Sequence, residues 1–271
     1  MEFAIRFLDA LVPAAWTAAA AAYLMVFVRE DQGALRWAPR LAWTAVAIHV
    51  MALGAIGALG FCPMLGTGSV VSGLGLAVGA VHLVLEGRAR NRAIGVFPAA
   101  AVALFALAGA ASDPLRRPST TLPHGTTAIH VTVAVLGYAG LFLAALFGAL
   151  WLVQQGALKK HRYGLFWERL PSLELLDSFS RRSLAAGAIF LTLTIGFGHL
   201  VRRELPQTQG YWDAKVVATN LIWLSAALVV VGRLLDRLRP GVGAVASVVL
   251  FGMAMVNMVV VDIFSHVHRG L

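Results

Sequence analysis

Eight stretches of roughly twenty apolar residues, separated by short charged connections, decide which solvent this chain folds in. They run from Leu11 to Val28, Leu41 to Gly60, Val70 to Leu85, Ile94 to Ala111, Ala128 to Val153, Ser183 to Leu200, Val216 to Val231 and Val242 to Phe264. A bilayer core about 30 Å thick is crossed by about 20 helical residues. Inside hydrocarbon every backbone N–H and C=O must find a partner within the chain, and runs of this length do so as helices. The expected fold is therefore an all-α integral membrane bundle of about eight transmembrane helices. The first run does not read as a cleavable signal peptide, because Glu2 and Asp9 offset Arg6 and no small-x-small site precedes a soluble domain. The chain is read as an N-terminal four-helix membrane region, 1–127, and a second membrane domain, 128–271.

The 22 Lys and Arg against 13 Asp and Glu leave a net charge of +9. In a soluble protein that excess raises the question of nucleic acid; here the basic residues sit between the apolar runs, where topology accounts for them, and no nucleic-acid partner is expected. Alternate connections carry fifteen and seven basic residues, which puts the richer set in the cytoplasm and both termini outside. The membrane is read as the bacterial cytoplasmic (inner) membrane. Cys62, the single cysteine, excludes an internal disulfide and any CxxC or CxxCH motif, so the chain is neither a thiol oxidoreductase nor itself a c-type haem carrier. The glycine-rich run Gly73 to Gly79 lies inside an apolar stretch and reads as helix packing, not a phosphate loop.

Helical rise then assigns a depth to each histidine. His124, His130, His199, His266 and His268 all fall at the outer ends of spans, His49 lies near the middle of span two, His82 near the inner end of span three and His161 in a cytoplasmic connection. Between spans six and seven runs Arg202-Arg203-Glu204-Leu205-Pro206-Gln207-Thr208-Gln209-Gly210-Tyr211-Trp212-Asp213-Ala214-Lys215, which sets an aromatic pair, a carboxylate and three cations beside those histidines. This mixture suits an iron porphyrin. Neutral imidazoles ligate iron from opposite faces, aromatic rings pack on the macrocycle, and Arg or Lys pairs with propionates.

Plainer readings stand beside it. A Trp-Tyr pair also forms interfacial belts, a helix-end histidine also snorkels into solvent, and zinc would ask for three or four ligands converging tetrahedrally. His49, ionisable at mid-bilayer, is a functional candidate by position or a neutral imidazole bonded to a neighbouring helix.

Three stretches carry a family resemblance. His130-Val-Thr-Val-Ala-Val-Leu-Gly-Tyr138-Ala-Gly140, continuing to Gly148, resembles the opening helix of the cytochrome c assembly domain. Leu158-Lys-Lys and then Arg169-Leu-Pro-Ser-Leu-Glu-Leu-Leu-Asp177 resemble that family's cytoplasmic connection. Tyr211-Trp-Asp-Ala-Lys215 with Trp223 is similar to a shortened tryptophan-rich motif, in which Asp213 and Trp223 keep the family spacing. Ala214 replaces the motif's proline, and Val231 stands where many members carry a histidine. The resemblance is to the CcsA/HemX-like haem-handling membrane proteins and runs from about His130 to the C-terminus.

That resemblance implies a non-covalent haem b at the outer face between His130 and His268, which fits the family's terminal histidine better than His266; His199 is a further candidate by its depth at an outer end. Tyr211 and Trp212 would form the platform, Arg202, Arg203 or Lys215 would pair with propionates, and Asp213 would orient a cation or an imidazole. The implied function is haem handling for c-type cytochrome biogenesis, with presentation to apocytochrome c or a partner subunit. Any enzymatic part would be at most that of a haem-delivery or cytochrome c haem-lyase subunit. In this reading His49 is a transient haem ligand on the way from the cytoplasm. The alternative is a HemX-like membrane regulator of haem biosynthesis acting through the amphipathic stretch Gln154 to Arg182, which otherwise lies on the lipid of the inner leaflet. A small-molecule transporter would show discontinuous helices in repeated halves, and the glycines of spans two and three are its only support.

Overall fold

A computed structural model of the chain describes residues 2–58, 67–87, 92–112, 125–161, 164–203 and 213–258. The described residues form α1 (Glu2–Arg29), α2 (Gln32–Ala58), α3 (Thr67–Glu86), a 3-10 turn (Ala93–Gly95), α4 (Val96–Ser112), α5 (Gly125–Lys159), α6 (Leu165–Arg169), α7 (Leu173–Arg203), α8 (Ala214–Leu234) and α9 (Pro240–Val256). Seven of these helices are long and apolar enough to cross a membrane. The shorter α9 covers the first part of the eighth apolar run, whose end lies outside the described residues. The protein is an all-helical integral membrane bundle.

Two compact units are present, one of residues 1–122 with 163–171, the other of residues 123–162 with 172–271. In the first, α1 and α2 pack along matched stripes. Val12, Trp16, Ala19, Tyr23 and Val26 are buried on α1, and Ala38, Ala42, Ala45, His49, Ala52 and Ile56 on α2. Both stripes alternate steps of three and four residues, the period of a helix seam, and the alanines let the two backbones approach closely. Pro39 has no N–H to give the Leu35 carbonyl one turn earlier. Arg92 fills that gap, its Nη1 donating to Leu35 O at 2.7 Å, and so ties the α3–α4 connection to α2. Gly75 packs against Phe105 and Val102 of α4, and Gly79 against the Trp16 indole, in keeping with a packing role for the glycine run. Glu30 ends α1 in the left-handed region, φ 52°, and pairs with Arg169 of α6.

In the second unit α5 is the central helix, packed on α7 and α9, with α8 against α7 and α9. Leu141, Ala144, Leu184, Leu191, Ile222, Ala226, Leu250 and Ala254 make its core. At 35 residues α5 is about 52 Å long, well beyond the hydrocarbon. The stretch Gln154 to Arg182, expected as one amphipathic cytoplasmic connection, is instead divided among three helices. Its first residues belong to α5 and its last ten to α7. Leu170 is buried in the first unit and Leu176 and Phe179 in the second, at 6%, 0% and 4% exposure, so they lie neither along a leaflet nor open to a partner. Apolar residues among charges in that stretch mark helix ends emerging from the bilayer. His161, two residues past the end of α5, stands in the turn that follows at φ 51°.

Candidate functional site

Two of the histidines singled out by depth are described in detail, and their hydrogen bonds separate them. His130 stands in the second turn of α5. Its Nδ1 lies 3.0 Å from the carbonyl oxygen of Thr194 on α7. A carbonyl only accepts, so Nδ1 carries the proton and Nε2 keeps a lone pair. Gly198, one turn beyond Thr194, makes room for the ring: a Cβ there would sit 3.2 Å from His130 Cε1. An imidazole that donates one N–H to a backbone carbonyl and presents its other nitrogen is oriented as metal-ligating histidines are.

His49 has the opposite arrangement. The Trp16 indole N–H, which can only donate, gives to His49 Nδ1 at 3.3 Å, so the proton sits on Nε2, 2.9 Å from Ser72 Oγ. Both nitrogens are engaged and the ring is 1% exposed. A cavity of about 10 Å³, room for about one water molecule, lies beside it between Asp9, Pro13 and Ser72. His49 thereby joins α1, α2 and α3. Replacing it by alanine orphans a buried donor and a buried hydroxyl, and we expect a stability loss of about 1–3 kcal/mol, read as a lower thermal midpoint in detergent. Haem loading measured on the folded fraction of the same sample decides its second role, since unchanged loading removes His49 from any haem route. His82, at the inner end of α3, is also buried, 3.7 Å from Glu86, whose other partner is the Tyr23 hydroxyl at 2.5 Å.

The start of α8 completes the described part of the outer cluster. Asp213 is the N-cap, its Oδ1 accepting from Lys215 N at 2.9 Å, the role short acidic residues take at helix starts. This cap sets where α8 begins and hence where Lys215 stands, within electrostatic reach of His130. A helix-start signal in Trp-Asp-Ala-Lys was readable from sequence and adds to the orienting role expected of Asp213. Trp223 donates to Thr192 Oγ1 of α7 at 2.8 Å, and Thr192 in turn bonds Ala188 O, so this tryptophan clips α8 onto α7. His199 is exposed in the last turn and a half of α7, with Arg202 half-buried three residues on. Tyr211, Trp212, His266 and His268 lie outside the described residues, as does the side chain of Arg203.

Three contributors are visible only in three dimensions. Thr194 and Gly198 form the seat of His130, and Asn257 donates to Tyr138 OH at 3.3 Å and to Thr219 Oγ1 at 3.0 Å. This buried knot joins α5 and α8 just beyond the end of α9, two turns along α5 from His130. An asparagine in an apolar run was its one sequence signal. Among the described residues no three His, Cys, Asp or Glu side chains converge as a metal-ligand set. The donors described, an imidazole whose Nδ1 is tied to a carbonyl and a lysine within electrostatic reach of it, are of the kinds that would hold a haem's iron and a carboxylate.

The chain is 27% identical over 140 residues to Protein HemX of Bacillus subtilis (strain 168), covering 52% of this chain and 51% of that protein. It is 27% identical over 144 residues to Protein HemX of Brevibacillus brevis, 53% of each. Cytochrome c biogenesis protein CcsA of Chlamydomonas reinhardtii is 32% identical over 100 residues, 37% of this chain and 27% of that protein. The chain thus spans about half the length of the HemX relatives it matches. Residues 64–268 match the family described as Cytochrome C assembly protein, a match that starts before α3 and so reaches further toward the N-terminus than His130. The chain belongs to the cytochrome c assembly protein family.

Proposed function

We propose that this membrane protein handles haem for c-type cytochrome biogenesis, holding a non-covalent haem b at the outer membrane face and presenting it to apocytochrome c or a partner subunit. The observation that carries the reading is the His130 tautomer: Thr194 O takes the Nδ1 proton and leaves Nε2 to ligate. His268 is the proposed second ligand. Bound haem would supply an iron that imidazole nitrogens can hold and propionates that cations can pair with. The chain's own part is to orient His130 through α7, to hold Lys215 for a propionate through the Asp213 cap, and to cover the macrocycle with Tyr211 and Trp212. Asp213, Arg202 and Arg203 complete the polar side, with His266 and His199 as neighbouring imidazoles. The second reading, a regulator of haem biosynthesis acting through residues 154–182, rests on the two HemX matches, and the burial of Leu170, Leu176 and Phe179 leaves it less surface to dock with.

Visible spectra of the purified full chain test the proposal. The wild type is expected to show a Soret band with sharp α and β bands on reduction, and His130→Ala to bind haem about tenfold or more weakly. Added imidazole should restore the low-spin spectrum to that variant, which a misfolded protein would not allow, while His161→Ala should match the wild type. A wild type that stays colourless after haem is added overturns the reading and moves the assignment to regulation.

A further inference from the structure

On the side of α2 opposite its alanine seam, Arg36 and Arg40 stand one turn apart, both exposed. Like charges at this spacing repel on a helix surface, and the two carboxylates nearest in sequence already have other partners. Asp31 Oδ1 accepts from Ala34 N at 2.7 Å, and Glu30 is paired with Arg169. Arg40 is not loose: its guanidinium carbon lies 5.2 Å from the centroid of the Trp37 ring, a cation–π contact that fixes the head at the point where the helix turns apolar. Beyond it Trp43, Val50 and Met51 are 52%, 53% and 64% exposed, with Ala47 between them. From Arg40 to Met51 the helix rises about 16 Å, close to the depth of one leaflet of a hydrocarbon core about 30 Å thick.

We propose that this face of α2 is a binding site for an anionic phospholipid, its phosphodiester held between the Arg36 and Arg40 guanidinium groups and an acyl chain laid along Trp43, Ala47, Val50 and Met51. Paired planar donors match phosphate oxygens, and the length match assigns the lipid to the leaflet at the Arg36 end. The source is a lipid and not free phosphate, because the basic pair opens directly onto an apolar track of acyl-chain length.

The test uses the full chain in nanodiscs of phosphatidylcholine with graded phosphatidylglycerol, counting by native mass spectrometry the lipids that stay bound on release. Wild type is expected to retain phosphatidylglycerol selectively. Each arginine should be worth about fivefold in affinity, so Arg36→Gln with Arg40→Gln should lose selectivity, and Trp37→Leu, which frees Arg40 without altering charge, should lose about two- to fivefold. Arg237→Gln, a basic residue in the α8–α9 turn, should retain lipid as wild type does. Equal retention of the two lipids, undiminished retention in the double variant, or displacement of lipid by millimolar inorganic phosphate overturns the proposal.

Discussion

Gly140→Ala is expected to be strongly destabilising, and to disturb the His130 seat as well. A Cβ on Gly140 would lie 2.6 Å from Gly187 Cα and 2.7 Å from Gly187 N. Those are backbone atoms of α7, so no side chain can rotate away and the two helices must separate. The same contact is close from the other side, where a Cβ on Gly187 would meet Gly137 O and Leu141 N at 3.1 Å. Separation loosens Leu141, Ala144, Leu184 and Leu191, which are packed in the core at this level. Overpacking of this kind costs about 1–3 kcal/mol, and Gly140→Leu should prevent folding of the unit. Because His130 lies on α5 and Thr194 on α7, the bond that sets the His130 tautomer is strained by the same movement. Gly156→Ala is the internal contrast. It is on the same helix with nothing within 4 Å of its Cβ position, so the substitution should be neutral or stabilise by up to about 1 kcal/mol. Thermal midpoints of the two variants in one detergent decide the matter, and equal midpoints would remove the close α5–α7 contact as the explanation.

How much of this was legible in the sequence follows from the range of the forces involved. The spans are legible because burial in lipid is a local property of twenty residues, and the outer-end depth of His130 follows from counting along one helix. Helix ends are less legible where α5 and α7 leave the bilayer: the charged residues from Lys159 to Arg182 read as a connection, yet helix continues through most of them. The alanine seam of α2 has helical spacing, but without α1 nothing says which face it covers. The repair of the Pro39 gap by Arg92 joins residues 57 positions from Leu35, and the carbonyl that sets the His130 tautomer lies 64 positions away. Such pairs are decided by tertiary contact. The contrast between His49 and His130, one with both nitrogens occupied and one with a nitrogen to offer, is invisible until their partners are in place.

The other large effect is expected at the opposite end of the same unit, where Arg233 and Asp177 form an ion pair. Arg233 Nη2 reaches both carboxylate oxygens of Asp177, at 2.6 and 2.5 Å, and Nη1 donates to Leu238 O at 2.7 Å. The arginine is 8% exposed and lies against Gly243, so one side chain joins the ends of α7 and α8 and the turn into α9. Asp177 closes the Arg169 to Asp177 segment that carries part of the family resemblance, and Arg233 follows two residues after the position at which Val231 replaces the family histidine. Arg233→Met leaves a carboxylate without its partner, and Asp177→Leu leaves a guanidinium with one bond in place of three. Either change should cost about 3–5 kcal/mol, because the charge left behind is largely withdrawn from water. Replacing both residues removes both charges, so the double variant should recover most of that loss, short of about 1 kcal/mol for the Leu238 carbonyl bond. A double-mutant cycle on thermal or denaturant unfolding in detergent measures the coupling directly. Additive losses would mean that the two groups act on stability separately, and that the inner ends of α7 and α8 are held by apolar packing instead.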